Sequence, residues 1–378
     1  VKDIDFVVCA TNHETVTRLF TTHSSVKEVI QEGTTKSAVR LHSGLQVDLR
    51  IVSEDEFPFT LHHFTGSKEH NVILRARAND RGLKINEYGL YKNDDKIRCE
   101  GEEEFFSALD LQYIPPELRE GKGEIEAAEQ NNIPSLISIY DIKGMLHMHS
   151  NYSDGMNSIA ELANAVKTRG FSYMGLTDHS QTATYAGGLS FEKVKRQWEE
   201  IDTLNERMTP FKILKGIESD ILSDGSLDYK DNELEQFDFI IASVHSQFNL
   251  DRKKMTKRIV RAINNPNTSV IGHLTGRLIL ERQGYDVDLD EIFEAAHLNK
   301  VSIEINAHPS RLDLDWRHVK SARDNGVVIS INTDAHQESG LDNLKYGVGI
   351  ARKGWIQKTD VLNALDITEF LQFVKNDG

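Results

Sequence analysis

From Gly144 onward, short apolar runs alternate with stretches of helical spacing. The runs "GMLHMH", "YMGLTDH", "ILKGIES", "FDFIIASVH", "SVIGH", "VSIEIN" and "VVISINTDAH" read as seven strands, and residues 159–169 and 289–298 read as amphipathic helices between them. Strands that alternate with helices predict a parallel α/β barrel or a doubly wound sheet. Residues 1–92 carry a different pattern. "IDFVVCA" and "LQVDLRIV" have strand character and Thr11 to Phe20 has helical spacing, so a small α+β unit is expected. Between the two, residues 93–143 hold "NDDK", "GEEEFF" and "YIPPELREGKGEIEAAEQNNIP", whose Pro, Gly and acidic clusters predict an extended connector with a helical turn or two. The expected organisation is therefore 1–92, 93–143 and 144–378.

Composition changes this picture little. The 378 residues are 39% hydrophobic, ordinary for a folded protein. No apolar run approaches the ~20 residues a membrane helix needs, and no basic-then-apolar leader is present, so no membrane partner is predicted and a cytoplasmic location is expected. The start at Val1 without methionine, already inside a motif by Asp3, is read as part of a longer protein. Cys9 and Cys99 lie far apart and outside any C-x-x-C, so any metal must be held by His, Asp and Glu.

Charge adds more. The net charge of −15 argues at first against nucleic acid. Its distribution weakens the objection: residues 1–92 carry twelve basic against twelve acidic side chains, residues 93–143 five against thirteen. Part of the remaining excess falls on candidate ligands whose charge bound cations would cancel.

The candidate chemistry sits at the ends of the predicted strands, where functional residues of parallel α/β folds collect. His147 and His149 close the first run, with Asp154 in the loop behind them; His179, Glu218, His245 and His273 end the next four; Asp334 and His336 end the seventh. Any one of these alone reads as an ordinary hydrogen-bonded residue, but six of the fifteen histidines share this address. His147 and His149 are two apart, as are Asp334 and His336, so on a strand each pair faces one side. Nine N and O ligands exceed what one ion takes and suit two or three; without thiolate they favour Zn, Mn or Fe. Such a cluster suits hydrolysis of a phosphoester. Glu304, Asn306 and Arg311, in "EINAHPSRLDLDW", are candidates to orient ligands or contact phosphate, an ordinary polar loop being the competing reading; His308 reads either way, and His297 and His318 read as surface residues.

At these motifs the chain resembles a known family. "HMHSNYSDG", "LTDHS", "GIESD", "ASVHS", "IGHLTGR" and "NTDAH" are similar to the successive motifs of the PHP (polymerase and histidinol phosphatase) family, whose resemblance implies a distorted (β/α)7 barrel with a trinuclear Zn, Mn or Fe site. It further implies that His147, His149, Glu218 and Asp334 hold one ion, that Glu218 and His245 help hold a second, and that Asp154 and His179 contribute to the third, the placement of His273 and His336 between the last two being left open. Leu274 stands where the family pattern has a proline; it touches no ligand.

In the first segment, Asp3 and Asp5 stand at strand spacing and face one side, and Asp48 can join them from a neighbouring strand. Three convergent carboxylates suit a two-magnesium phosphoryl-transfer site, while a solvated sheet edge is the plain alternative. "EGTTKS", Glu32 to Ser37, lacks the first glycine and the framing of a phosphate loop. "HHFTGSKEHNVILRARANDRGLKINEYGLY", His62 to Tyr91, resembles the palm–thumb junction and thumb of family X DNA polymerases. That resemblance implies catalytic roles for Asp3, Asp5 and Asp48 with Mg²⁺, and places Phe64, Gly66, Lys68, Asn71 and Arg75 near the nascent base pair and template, with primer-template DNA and a dNTP as partners. In physical terms Lys68 and Arg75 offer phosphate contacts and Asn71 a minor-groove hydrogen bond.

Palm and thumb, an acidic segment and then PHP is the order of bacterial and archaeal PolX enzymes, so the chain as a whole resembles that family. The implied function is a repair-polymerase fragment whose barrel is a metal-dependent 3′–5′ exonuclease or phosphoesterase acting on DNA 3′ ends. The lyase-like domain, the fingers and the triphosphate-cradling Gly-Ser turn of the family all precede the aspartate pair, so polymerisation by this chain alone is not expected. The alternatives are a small-molecule phosphomonoesterase of the histidinol-phosphatase type and a non-catalytic DNA-binding module.

Overall fold

The computed structural model describes residues 3–375 and divides into two units, residues 1–133 and 134–378. Among the described residues no helix is long and apolar enough to cross a membrane.

In the first unit β1 (Asp3–Cys9), α1 (His13–Thr21), β2 (Val26–Gln31), β3 (Lys36–Leu41) and β4 (Gln46–Val52) build a four-stranded sheet in the order β1-β4-β3-β2. The edge strand β1 runs parallel to β4, and Asp5 lies opposite Asp48. Next come α2 (Phe57–Thr65), α3 (Lys68–Asp80) and a three-stranded antiparallel sheet of β5 (Leu83–Asn86), β6 (Gly89–Lys92) and β7 (Asp95–Ile97). Ser67 begins α3, its hydroxyl accepting from the His70 N–H, as an N-cap should.

The expected extended connector over 93–143 is not what forms. Its helical turns are there, α4 (Glu102–Ser107) and α5 (Glu124–Glu129), but they pack into the first unit. Phe105 and Phe106 are buried, with Phe105 edge-on to Phe59 of α2. Arg119 is buried beneath the Phe106 and Tyr113 rings and paired with Glu102 at 2.5 Å. The acidic composition hid these two aromatic anchors, which make the segment part of a core.

The second unit is a (β/α)7 barrel. Its elements are β8 (Gly144–Met145), α6 (Ile159–Thr168), β9 (Tyr173–Leu176), α7 (Phe191–Met208), β10 (Lys212–Asp220), α8 (Asp231–Leu234), β11 (Phe239–Ser243), α9 (Arg252–Ile263), β12 (Val270–Ile271), α10 (Leu289–Leu298), β13 (Ser302–Asn306), α11 (Trp316–Asp324), β14 (Ile329–Asn332), α12 (Leu344–Lys353) and α13 (Ile367–Val374). Six parallel pairings order the strands from β14 to β8 in strict sequence. A bridge between Met148 and Ala335 brings the two edges together. The strands are buried on both faces, which is why they read as continuous apolar runs. Outside them, Ile159, Leu162, Ala163 and Val166 form the inward stripe of α6. All seven strands run the same way, so their C-terminal ends open on one rim.

Candidate metal centre

The nine strand-end residues converge on that rim, but not as strand alternation predicts. His147 and Asp334 lie beyond the ends of β8 and β14 with φ of +55° and +50°, and His273 has φ of +23°. Non-glycine residues in the left-handed region are strained and cluster at functional sites. Thus the pairs His147/His149 and Asp334/His336 reach one site because the chain turns at their first member. The barrel's packing holds that turn.

Glu218 stands at the centre, 1% exposed. Its Oε1 lies 3.3 Å from His147 Nε2, 3.2 Å from His245 Nε2 and 3.1 Å from His273 Nε2. Its Oε2 lies 3.0 Å from His179 Nδ1 and 3.6 Å from His149 Nε2. Asp334 Oδ1 lies 3.2 Å from His149 Nε2 and 3.5 Å from His147 Nε2. Asp154 Oδ2 lies 3.6 Å from His179 Nε2 and 3.5 Å from His336 Nε2. Three groups of close-set ligand atoms result: His147, His149 and Asp334; His179, Glu218 and His245; and His149, Asp154, His179 and His336. His336 falls with Asp154, and His273 sits against Glu218.

Three rings are aimed by a hydrogen bond from the nitrogen that faces away from the centre. His147 Nδ1 donates to Glu304 Oε1 at 2.6 Å, His245 Nδ1 to Asp220 Oδ1 at 2.5 Å, and His336 Nδ1 to the Asp334 carbonyl at 3.0 Å. Each leaves Nε2 directed inward, the arrangement usual for ligating imidazole. Glu304 is buried and also accepts from the His273 N–H at 2.6 Å and from Asn332 Nδ2 at 2.9 Å, so it locks three segments of the rim. Asn306 Nδ2 donates to Asp334 Oδ2 at 3.0 Å, and Arg311 Nε lies 3.3 Å from the same oxygen. Asp220 and Asp178 were not singled out from the sequence. Asp178 accepts from Ser150, Ser153 and Gln197 and pins the loop that carries Asp154. Their only signal was adjacency to a ligand in "TDH" and "ESD". His308 bonds Ser310 at 2.7 Å and belongs to none of the three groups.

The donor set fits cations by a direct test. The buried atoms His147 Nε2, His149 Nδ1, His179 Nδ1 and Glu218 Oε2 make no hydrogen bond. His179 Nδ1 and Glu218 Oε2 are 3.0 Å apart and still do not bond, because they are aimed past one another. Most buried polar atoms of proteins are satisfied, so four orphans gathered around one carboxylate point to a ligand. Electrostatics agree. Despite burial, His245, His147 and His179 hold the Glu218 carboxyl well below its ordinary range, and His147 does the same for Asp334. Burial and then His179 push His149 down to about 3, leaving it neutral. Against burial, Glu218 and Asp220 raise His245 to about 10, and Asp154 with Asp334 raises His336 to about 9. The shifts of Asp154, Glu218 and Asp334 all favour the ionised carboxylate, the form that ligates a cation.

The first unit gathers its candidates more loosely. Asp3 and Asp5 are exposed on β1 and Asp48 is half-buried on β4. Burial, then Asp48 and Asp3, raise the Asp5 carboxyl. Among the described residues, however, the close-set ligand groups all lie in the barrel. The α2–α3 corner carries Phe64, Gly66, Lys68, Asn71 and Arg75. Asn71 Nδ2 donates to the His63 carbonyl at 2.9 Å, Arg75 Nη2 meets His63 Nδ1 at 2.9 Å, and Arg50 lies over the Phe64 ring at 5.4 Å. His63, which ties Asn71 and Arg75 together, went unnoticed in the sequence because nothing distinguishes it from its neighbour His62.

A rim-borne cluster of imidazoles and carboxylates on a seven-stranded parallel barrel defines a PHP-type metal-binding domain. Comparison with known families agrees: residues 145–308 match the PHP domain and residues 60–120 the DNA polymerase beta thumb. The whole chain is 43% identical, over 381 residues, to the DNA polymerase/3′-5′ exonuclease PolX of Bacillus subtilis, and spans 66% of that protein's length. Part of the chain (58%) is 27% identical to a protein of Thermoanaerobacter sp. named "Probable phosphatase", covering 88% of it. A "Probable phosphatase" of Caldanaerobacter subterraneus is 27% identical over 203 residues, 50% of this chain and 74% of its own. The chain belongs to the PolX family of DNA polymerases that carry a PHP domain.

Proposed function

We propose that the barrel is a metal-dependent phosphoesterase that removes nucleotides from DNA 3′ ends, within a repair polymerase of PolX type. The single observation that carries this is the set of orphaned buried ligand atoms around Glu218. On this reading His147, His149, Asp154, His179, Glu218, His245, His273, Asp334 and His336 would hold up to three ions of Zn, Mn or Fe. When bound, the ions lower the pKa of water and neutralise phosphate charge. The chain's own contribution is positional. Glu304 and Asp220 fix the tautomers of His147 and His245. Arg311, beside Asp334, offers its remaining guanidinium donors to a phosphate oxygen.

In the first unit, residues 1–92 are proposed as partial palm and thumb, with the thumb continuing through the acidic segment. Asp3, Asp5 and Asp48 would hold Mg²⁺ once a dNTP supplies further oxygens, and the α2–α3 corner would meet primer-template DNA. The test is Mn²⁺-supported shortening of a 3′-labelled single strand. The wild-type protein should shorten it and His149→Ala should not; equal shortening by both would reject the assignment. The likeness of the barrel to relatives named phosphatase keeps one competing reading, a small-molecule phosphomonoesterase. Faster turnover of histidinol phosphate than of DNA ends would favour it.

A further inference from the structure

One aromatic ring beside the centre is unaccounted for. Tyr185 lies in the loop after β9, its ring centroid 6.2 Å from His179 and 6.4 Å from His245, and it is 70% exposed. The loop around it is tightly built. Ala183 and Ala186 on either side are buried, and Leu189 beyond them is fully buried. Backbone bonds Ala183 N–H to Ser180 O, Ala186 N–H to Ala183 O and Gly188 N–H to Ala183 O, each 3.0 Å, close the turn. Gly188 is required there, since a Cβ would stand 2.0 Å from the Ser180 carbonyl oxygen. The turn thus buries its small residues and leaves its one large ring outside, on a backbone with little freedom. A lone exposed aromatic needs no explanation in general. This one is held rigidly against two rings of the metal centre, in the position an anchor needs if it is to bind without ordering cost.

We propose that Tyr185 is the stacking platform for the nucleobase of the terminal nucleotide whose phosphodiester is cleaved. The inference rests on the reading that DNA ends are the substrate, and makes Tyr185 a positioning residue. The ring stacks on the base while the attached phosphate lies over the cluster. Stacking on an aromatic face is tolerant of sequence and is worth ~1–3 kcal/mol per base, which predicts selectivity for an unpaired 3′ end without strong base preference. The hydroxyl is not required: it is the ring that faces His179 and His245, and among the described hydrogen bonds none ties the hydroxyl down.

Four proteins decide it: wild type, Tyr185→Phe, Tyr185→Ala and His149→Ala. They are assayed with Mn²⁺ on a single strand ending in a normal nucleotide and on the same strand ending in a base-free tetrahydrofuran unit. Tyr185→Ala should raise KM on the normal strand by about 10–100-fold with kcat nearly kept, while cleaving the base-free strand as wild type does; Tyr185→Phe should match wild type on both. Quenching of 2-aminopurine placed at the 3′ end, read with Ca²⁺ in place of Mn²⁺, should be lost in Tyr185→Ala and kept in Tyr185→Phe, independently of turnover. The proposal is overturned if Tyr185→Ala matches wild type on the normal strand, if it loses equally on both strands, or if Tyr185→Phe is as damaged as Tyr185→Ala. Wild type that cleaves neither strand any faster than His149→Ala sinks the DNA-end reading itself, and this inference with it. That result is distinct from failure of Tyr185 alone.

Discussion

The two units use the same acidic and imidazole side chains in opposite ways. In the barrel, His147, His149, Glu218 and His273 are at most 1% exposed, and Glu304 and Asp220 orient the rings of His147 and His245. In the front unit, Asp3 and Asp5 stand in solvent on an edge strand, and among the described residues no side-chain hydrogen bond aims them. The buried polar groups of that unit serve structure instead. His62 Nε2 meets His70 Nε2 at 3.2 Å, and His70 Nδ1 meets Glu124 Oε1 at 2.7 Å, with Glu124 also accepting from the Gly121 and Lys122 N–H groups. The chain Glu124–His70–His62 has its hydrogen bonds closed internally, whereas the barrel cluster keeps His147 Nε2, His149 Nδ1, His179 Nδ1 and Glu218 Oε2 without one. Single orphaned atoms occur in both units, such as Arg77 Nε in the first; what separates a ligand site from a structural network is a group of orphaned ligand atoms around one carboxylate, not the residue type.

The sharpest break comes from Glu218→Gln. It removes the charge of the carboxylate that lies within 3.6 Å of His147, His149, His179, His245 and His273, and nuclease activity should fall by more than ~100-fold together with the metal-to-protein ratio. Elemental analysis and the 3′-end assay on one preparation check it. Glu304→Gln comes next. His147 keeps an acceptor oxygen but loses the charge behind it, so metal affinity should fall by about 10–100-fold, measured by competition with a chelator. A third effect is pH. His245, raised to about 10, and His336, raised to about 9, hold protons that a cation must displace, so affinity should climb as pH rises from 6 to 9, with protons released on binding. Calorimetry in buffers of different ionisation enthalpy reads that release.

Smaller effects belong to the front unit. Glu124→Ala leaves His70 without its acceptor and should cost the first unit about 1–3 kcal/mol, with the barrel's transition unmoved. Although burial opposes it, His70 and backbone N–H bonds hold the Glu124 carboxyl low. Its contribution is therefore present above the unfolded carboxyl value of about 4.3 and fades as the pH falls below it. Thermal unfolding of wild type and variant at pH 7 and pH 4 checks both statements. The least change is expected from Asp5→Asn. It relieves repulsion with Asp48 and Asp3, so stability should move by no more than about 0.5 kcal/mol, and 3′-end shortening should be unchanged.

How much of this the sequence carried differs by element. The seven strands were legible because each is buried on both faces and reads as an unbroken apolar run. Their terminal histidines stood out because hydrophobic runs rarely end in ionisable residues. The way those residues meet was not legible: the left-handed turns at His147, His273 and Asp334 come from packing across the rim, which no local pattern records. Glu304 could be flagged from its strand end, but its bond to His147 spans 157 positions, and Asp220 was masked by Glu218 two residues before it. In the acidic segment, composition outweighed two phenylalanines and produced a connector where the chain packs.

The most direct test of the open centre is a count of bound metal in the intact chain. Protein purified without chelator, and folded by circular dichroism, should carry more than one transition-metal ion per chain by elemental analysis, reduced by His149→Ala. A folded wild-type protein that takes up no Mn²⁺, Zn²⁺ or Fe²⁺ at micromolar free metal would contradict the account.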